Sequence, residues 1–367
     1  MARAEMNSTE PAPPPADWLV RISESLADFS PDIVAALGGE LNKRLGSDYF
    51  LIRAGDPVAM HGSGAAAFVR WNLPVEHAWP CNPAKMDGFV EKAAQTIFRK
   101  FGPRNPQAVF IGQLDPGPAH RYFKTLASNL RGRTLQLFPP AVAAVRDVEV
   151  QDPAAATLFC LVGKEGLFCG MQSPRDCGGF YPGGTKYVSR TAPDTISRAG
   201  AKVAEALHYL LLYRPVPRVG SHWLELGASP GGMTSELLAR KYEVTAIDRA
   251  PLDRRLDGQK GLHSALLDVA AFQPSQRMRY DAMLCDMNGD AREAIRQVGR
   301  LASSLKPGAP VIFTLKSPGV STFQEMLELG RDVIRIAAGA GLRLLARTHL
   351  SSNRHELTLF FVADSPP

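Results

Sequence analysis

Four titratable side chains, two lysines and two acids, stand where apolar runs begin or end. Asp286 closes the run Ala-Met-Leu-Cys, and Lys316 closes Val-Ile-Phe-Thr-Leu. Glu356 opens Leu-Thr-Leu-Phe-Phe-Val, and Lys202 lies early in the helix-like stretch SRAGAKVAEAL. A lysine at the end of an apolar strand is costly unless it is paired. If the strands ending in Asp286 and Lys316 are parallel and the last strand runs against them, three of the four groups reach one sheet edge. Spacing alone leaves two readings. One is a set of ion pairs bracing the edge. The other is a proton-transfer group in which a lysine amine is tuned by its neighbours.

A second cluster belongs to the same edge. Glu225-Leu-Gly227-Ala-Ser229-Pro230-Gly231-Gly232-Met-Thr follows an apolar strand and opens a helix. Glycines let the backbone turn sharply and approach a ligand, and a helix start offers free N–H groups. The next strand ends in Asp248, placed to accept both hydroxyls of an adenosine ribose. Asp268, in Leu-Leu-Asp, is placed to accept from an adenine amino group. A dinucleotide site wants G-x-G-x-x-G, whereas this loop reads G-A-S-P-G-G with an acid two residues ahead. Acidic and carbonyl groups suit a cation-bearing cofactor, which points to S-adenosylmethionine. The candidate cofactor residues are Glu225, Gly227, Ser229, Pro230, Gly231, Gly232, Asp248, Asp268 and Asp286.

Together, Lys202, ELGASPGGMT, Asp286 in LCDMNGD, Lys316 in FTLKSPG and Glu356 in RHELTLFF resemble the lysine–aspartate–lysine–glutamate tetrad of the ribose 2′-O-methyltransferase superfamily. The upstream stretch ATLFCLVGKEGLFCGMQSPRDCGGFYPGGTKY is similar to one branch, the cytidine 2′-O-methyltransferases of large-subunit rRNA. Members of that branch carry an N-terminal RNA-binding region with a THUMP domain. The sequence departs from the superfamily at Met233, Glu225 and Ala199, and matches the branch poorly before residue 155. The resemblance implies an enzyme that uses S-adenosylmethionine and acts on a cytidine of 23S rRNA or of a precursor particle. It implies Lys316 as base, Lys202 and Asp286 as its tuners, and Glu356 as support for the hydroxyl or for Lys202. Rival readings are a methyltransferase acting on a base, an inactive RNA-binding or assembly factor, and a nicotinamide dehydrogenase. A base amino-group methylator would want Asn/Asp-Pro-Pro-aromatic after the fourth strand, where Asp-Met-Asn-Gly-Asp stands. A carbon methylator would want a cysteine beyond that strand, whereas Cys285 lies inside it.

These groups need elements to hold them. From Ser197, a possible helix cap, strands and helices alternate, which predicts a parallel sheet covered on both faces. Expected strands are Trp223–Leu226, Glu243–Ile247, Ala282–Cys285, Val311–Leu315, Leu342–Thr348 and Glu356–Val362, with helices Gly232–Arg240, Ala291–Leu305 and Thr322–Ala340. The last two strands lack a helix between them, so they form an antiparallel hairpin. The pattern gives an α/β fold class, and the resemblance implies a Rossmann-like methyltransferase domain over 186–365 and an N-terminal α/β, THUMP-like RNA-binding region over 17–185. Residues 1–16 read as a disordered, proline-rich tail. In the N-terminal region the pattern predicts strands Trp18–Ile22, Ala66–Trp71, Ala108–Ile111 and Ala156–Val162. It predicts helices Pro31–Leu45, Met86–Phe101 and Arg121–Leu130. Between Arg99 and Arg133, seven cations face one acid, Asp115, with Tyr122 and Phe123 among them. Arg121, Lys124, Arg131 and Arg133 are the candidate RNA contacts; the alternative is a solvated helix face.

Composition sets the outer bounds. The chain has 367 residues, 45% hydrophobic and 21% charged, with a formal charge of +6. That is ordinary for a globular protein of two domains and permits a polyanionic partner without demanding one. Five cysteines without a CxxC pair argue against a disulfide framework or a zinc site and fit a reducing, cytoplasmic compartment. No apolar run approaches the roughly 18 residues of a membrane span, and the expected state is a monomer.

Overall fold

The computed structural model describes residues 16–55, 62–81, 86–114, 121–143, 150–184, 196–275 and 277–364. Most of the expected tail (1–15), Asp115 and the expected domain boundary at 185/186 lie outside these residues.

The C-terminal half is one seven-stranded sheet. Its strands are β9 (His222–Leu226), β10 (Glu243–Asp248), β11 (Leu262–Leu266), β12 (Ala282–Cys285), β13 (Pro310–Lys316), β14 (Leu342–Thr348) and β15 (Glu356–Ala363). They lie in the order β11-β10-β9-β12-β13-β15-β14. All neighbours are parallel except those of β15, which runs against both β13 and β14. This is the Rossmann order with the final pair closed by an antiparallel hairpin. The sequence reason is plain in β13, buried along Pro310–Leu315: a strand covered on both faces reads as a continuous apolar run. Helices α4 (Ala199–Leu210) and α5 (Gly232–Ala239) pack with Trp223, Leu284 and Ile312 on one face. Helices α6 (Ala291–Leu301) and α7 (Phe323–Gly339) pack with Leu224, Leu226, Val311 and Phe313 on the other.

The N-terminal half holds two four-stranded sheets. The first, β2-β3-β1-β4, is antiparallel and uses β1 (Ala16–Ile22), β2 (Gly39–Leu45), β3 (Tyr49–Ala54) and β4 (Val69–Pro74). The second, β5-β8-β7-β6, uses β5 (His77–Trp79), β6 (Ala108–Gln113), β7 (Thr157–Gly163) and β8 (Gly166–Gln172). It carries α2 (Met86–Phe101) and α3 (Arg121–Leu137) over a core that includes Ile97, Leu126, Leu130 and Cys160.

Two expectations are corrected here. The helix expected over Pro31–Leu45 stops as α1 at Ala36, and Gly39–Leu45 is a strand. Gly38, at φ +70°, turns the chain there, and pairing with β3 overrides the local helical pattern. The strand expected over Ala66–Trp71 begins only at Val69, because Gly64–Phe68 forms a tight 3-10 turn capped by Ser63.

Candidate active site

The four sequence-predicted reacting groups meet at the carboxyl edge of the seven-stranded sheet. Lys316 ends β13 and Glu356 begins β15, and antiparallel register sets them directly opposite each other. Asp286 follows β12, its N–H donating to the Leu226 carbonyl at 3.0 Å. Lys202 comes from α4. That helix is held close to α5: a Cβ on Gly200 would sit 2.9 Å from the Gly232 carbonyl oxygen. Beside it, the Ser197 hydroxyl accepts from the Ala199 N–H at 3.3 Å.

Lys202 Nζ donates to Glu356 Oε2 at 2.8 Å and to Asp286 Oδ1 at 3.3 Å. Lys316 Nζ donates to the Asp286 backbone carbonyl at 2.9 Å and to Asn288 Oδ1 at 2.7 Å, and lies 3.4 Å from Asp286 Oδ1. The two lysines thus share one carboxylate. Burial lowers the pKa of Lys202, but the charges of Asp286 and Glu356 outweigh it and hold the amine above the ordinary lysine value. Lys202 is therefore a fixed cation between two acids.

The glycine loop lies next to this group. Gly227 takes φ +77°, and a Cβ there would come within 2.9 Å of the Met287 backbone, so a side chain would push the loop away from the turn after Asp286. Asp248 Oδ2 accepts from the Ser229 N–H at 2.9 Å and Oδ1 from the Ala250 N–H at 2.8 Å, leaving each oxygen a further lone pair. The Ser229 hydroxyl donates to the Pro251 carbonyl, and the Pro230 carbonyl accepts from the Asp253 N–H. Gly231, at φ +103°, faces Leu256. Asp268 caps a short 3-10 turn through the Ala270 N–H and stands 3.7 Å from Arg249. A cavity of about 310 Å³ opens beside Asp248, under the loop that carries Leu252 and Leu256. Asp248 is its one link to the candidate residues.

Glu225 is buried, only 1% exposed. Its Oε2 accepts from the Thr234 hydroxyl at 2.8 Å, and its Oε1 has no hydrogen-bond partner among the described residues. Burial pushes its carboxyl up to about 8, with the charges of Asp286 and Asp248 adding to the shift against the Thr234 hydrogen bonds. Asn288 and Thr234 were not among the expected site residues. Asn288 had one signal, its place two residues after Asp286; Thr234 had its place in the loop itself.

The basic N-terminal stretch divides on inspection. Arg133 is paired with Glu91 at 2.7 Å, and Arg104 with Glu76. Arg131 lies over the Phe110 ring at 5.9 Å. Arg121 and Lys124 are exposed on α3, next to Tyr122, which is 43% exposed.

No protein-family model matches the chain. It is 33% identical over 173 residues to the ribosomal RNA large subunit methyltransferase M of Halorhodospira halophila, covering 47% of this chain and 48% of that protein. To the protein of the same name from Thauera aminoaromatica it is 32% identical over 174 residues, covering 45% of each. The chain spans about half the length of the curated relatives it matches. Among solved structures, it is similar to the Methanococcus jannaschii fibrillarin pre-rRNA processing protein, with 14% identity, a TM-score of 0.37, and coverage of 59% of this chain and 93% of that one. At that score the structural likeness carries no functional weight.

Proposed function

We propose that this chain transfers a methyl group from S-adenosylmethionine to a ribose 2′-hydroxyl of large-subunit rRNA. The observation that carries the proposal is the linkage of Lys202 to Asp286 and Glu356, and of Lys316 to Asp286, beside the Gly227–Gly232 loop. The relatives named as large-subunit rRNA methyltransferases support the substrate class.

The loop residues fit the cofactor. Glu225 keeps a buried, unpartnered oxygen, which an ammonium would satisfy. Gly227 leaves no room for a side chain, and Asp248 has lone pairs for ribose hydroxyls. When bound, the cofactor supplies a methyl already activated by its sulfonium.

The chain's own residues do the rest. A 2′-hydroxyl is a poor nucleophile at neutral pH, and the Lys316 amine takes its proton. To act as base the Lys316 amine must be in its neutral form. Lys202 shares the Asp286 carboxylate with Lys316, its Nζ 3.3 Å from Oδ1, so that carboxylate is engaged from both sides. Glu356 holds Lys202 in place.

The test is methyl transfer to large-subunit rRNA taken from cells that lack the gene. Lys316→Ala should lower turnover by about 10²–10⁴-fold with cofactor binding intact. Lys316→Arg should fail as well, because a guanidinium stays protonated. The product should resist alkaline cleavage at one linkage. Near-normal turnover in Lys316→Ala, or a methyl found on a base, would leave the four residues as a structural ion-pair cluster.

A further inference from the structure

Resting on that reading, we infer that Asn288 is a positioning residue that aims the Lys316 lone pair. An ammonium only donates, so the amide oxygen of Asn288 must be the atom facing Nζ. The lysine nitrogen has three hydrogens, and three acceptors surround it: the Asp286 carbonyl at 2.9 Å, Asn288 Oδ1 at 2.7 Å and, more distantly, Asp286 Oδ1 at 3.4 Å. The two short contacts go to neutral oxygens. When Lys316 loses a proton, its two remaining N–H bonds stay with those two oxygens. The lone pair then takes the third direction, where a 2′-hydroxyl would displace the long contact to Asp286 Oδ1, an oxygen that Lys202 also holds at 3.3 Å. On accepting the hydroxyl proton the nitrogen returns to the ammonium; the oxygen's electron pair would form the O–CH3 bond as the bond from that methyl to the sulfonium sulfur breaks, its electron pair leaving with the now neutral sulfur.

The neutrality of Asn288 is as important as its position. The charged groups around Lys316 are Asp286 from the turn after β12, Lys202 from α4 and Glu356 from β15, with the buried Cys285 thiol behind them. Those charges are already balanced between two lysines and two acids. A carboxylate at position 288 would tip the balance toward the ammonium, whereas an amide holds the nitrogen without doing so.

Two variants separate this role from simple support of the loop. Asn288→Asp should keep the geometry and move the rising limb of kcat against pH upward by about one unit or more. Asn288→Ala should lower kcat by about 10²-fold, the scale of a misplaced reacting group, with KM for rRNA unchanged. A second readout needs no turnover: ¹³Cε-lysine NMR with S-adenosylhomocysteine bound, assigned by Lys316→Arg, should show the Lys316 titration rise in Asn288→Asp. If that titration and the kcat limb both stay put, or Asn288→Ala turns over within twofold of the wild type, the inference is overturned. If no variant methylates rRNA yet the NMR titration moves, the electrostatic role of Asn288 stands and the methyl-transfer reading fails.

Discussion

Glu225 is an acid placed where water cannot help it. Its carboxyl is pushed up to about 8 by burial, with the Thr234 hydroxyl donating to one oxygen and no hydrogen-bond partner for the other among the described residues. The sign of the consequence follows from proton linkage. An unfolded glutamate titrates near 4.3, so between that value and about 8 the folded chain binds a proton that the unfolded chain has lost. Stability of the ligand-free protein should therefore fall as pH rises through this window. Glu225→Gln keeps an acceptor for Thr234 and has no charge to bury. Its melting temperature relative to the wild type should rise from pH 5 to about pH 8 and level off above that. Parallel curves would mean that Glu225 ionises freely in the fold. The sequence announced an acid ahead of the glycines, but not that one oxygen would be orphaned. Orphaning depends on how α5 packs over the strand end, which no local pattern contains. Three of the four reacting groups were legible for the opposite reason: Asp286, Lys316 and Glu356 end or begin an apolar run, so topology brings them to the edge, whereas Lys202, inside a helix, was reached through the family resemblance.

At the level of elements, α4 and α5 approach each other closely beside the site. Gly200 is buried, with the Gly232 carbonyl 2.9 Å from where a Cβ would lie. Backbone cannot step aside as a flexible side chain can, so Gly200→Ala should push the start of α4 off α5. Overpacking of this kind costs about 1–3 kcal/mol. Lys202 lies two residues farther on, so its nitrogen should leave the Asp286–Glu356 bridge. We expect kcat to fall more than the loss of stability explains, and a melting curve together with kcat below the melting range checks this. The alternation that predicts the parallel sheet was readable because β12 and β13 are buried on both faces and run almost wholly apolar, and β9 does so apart from His222 and the buried Glu225. The β2 strand was not readable. Its middle is exposed, its residues carry no alternation, and pairing with β3 alone makes it a strand. β5 is three residues long, too short for any period to register.

Across the whole molecule, the two halves are joined by more than a linker. Arg70 of β4, 3% exposed, donates to Glu205 of α4 at 2.9 Å, and Glu205 also accepts from the Ser351 N–H and hydroxyl. Apolar residues of both halves share two cores, as where Phe68 meets Phe323 edge-on at 5.1 Å. Removing one partner of a buried ion pair costs about 3–5 kcal/mol, so Glu205→Ala should lower stability by that order, and calorimetry should still show one transition. Two separate transitions in the wild type would mean that the shared cores do not couple the halves. This rigid join bears on where RNA can bind. If the chain binds RNA as proposed, an N-terminal half packed against the seven-stranded sheet would hold Arg121 and Lys124 in a set position relative to Lys316. Of the candidate contacts, Arg133 is engaged by Glu91 and Arg131 covers Phe110, whereas Arg121 and Lys124 point their charge at solvent. Arg121→Glu with Lys124→Glu should weaken rRNA binding and flatten the dependence of log affinity on log salt by about two phosphate contacts, leaving S-adenosylhomocysteine affinity unchanged. Arg133→Glu should instead act on stability, by setting two acids against each other across α2 and α3. If the double reversal leaves the salt slope as it was, α3 is a solvated face, and the RNA must be held closer to the sheet edge.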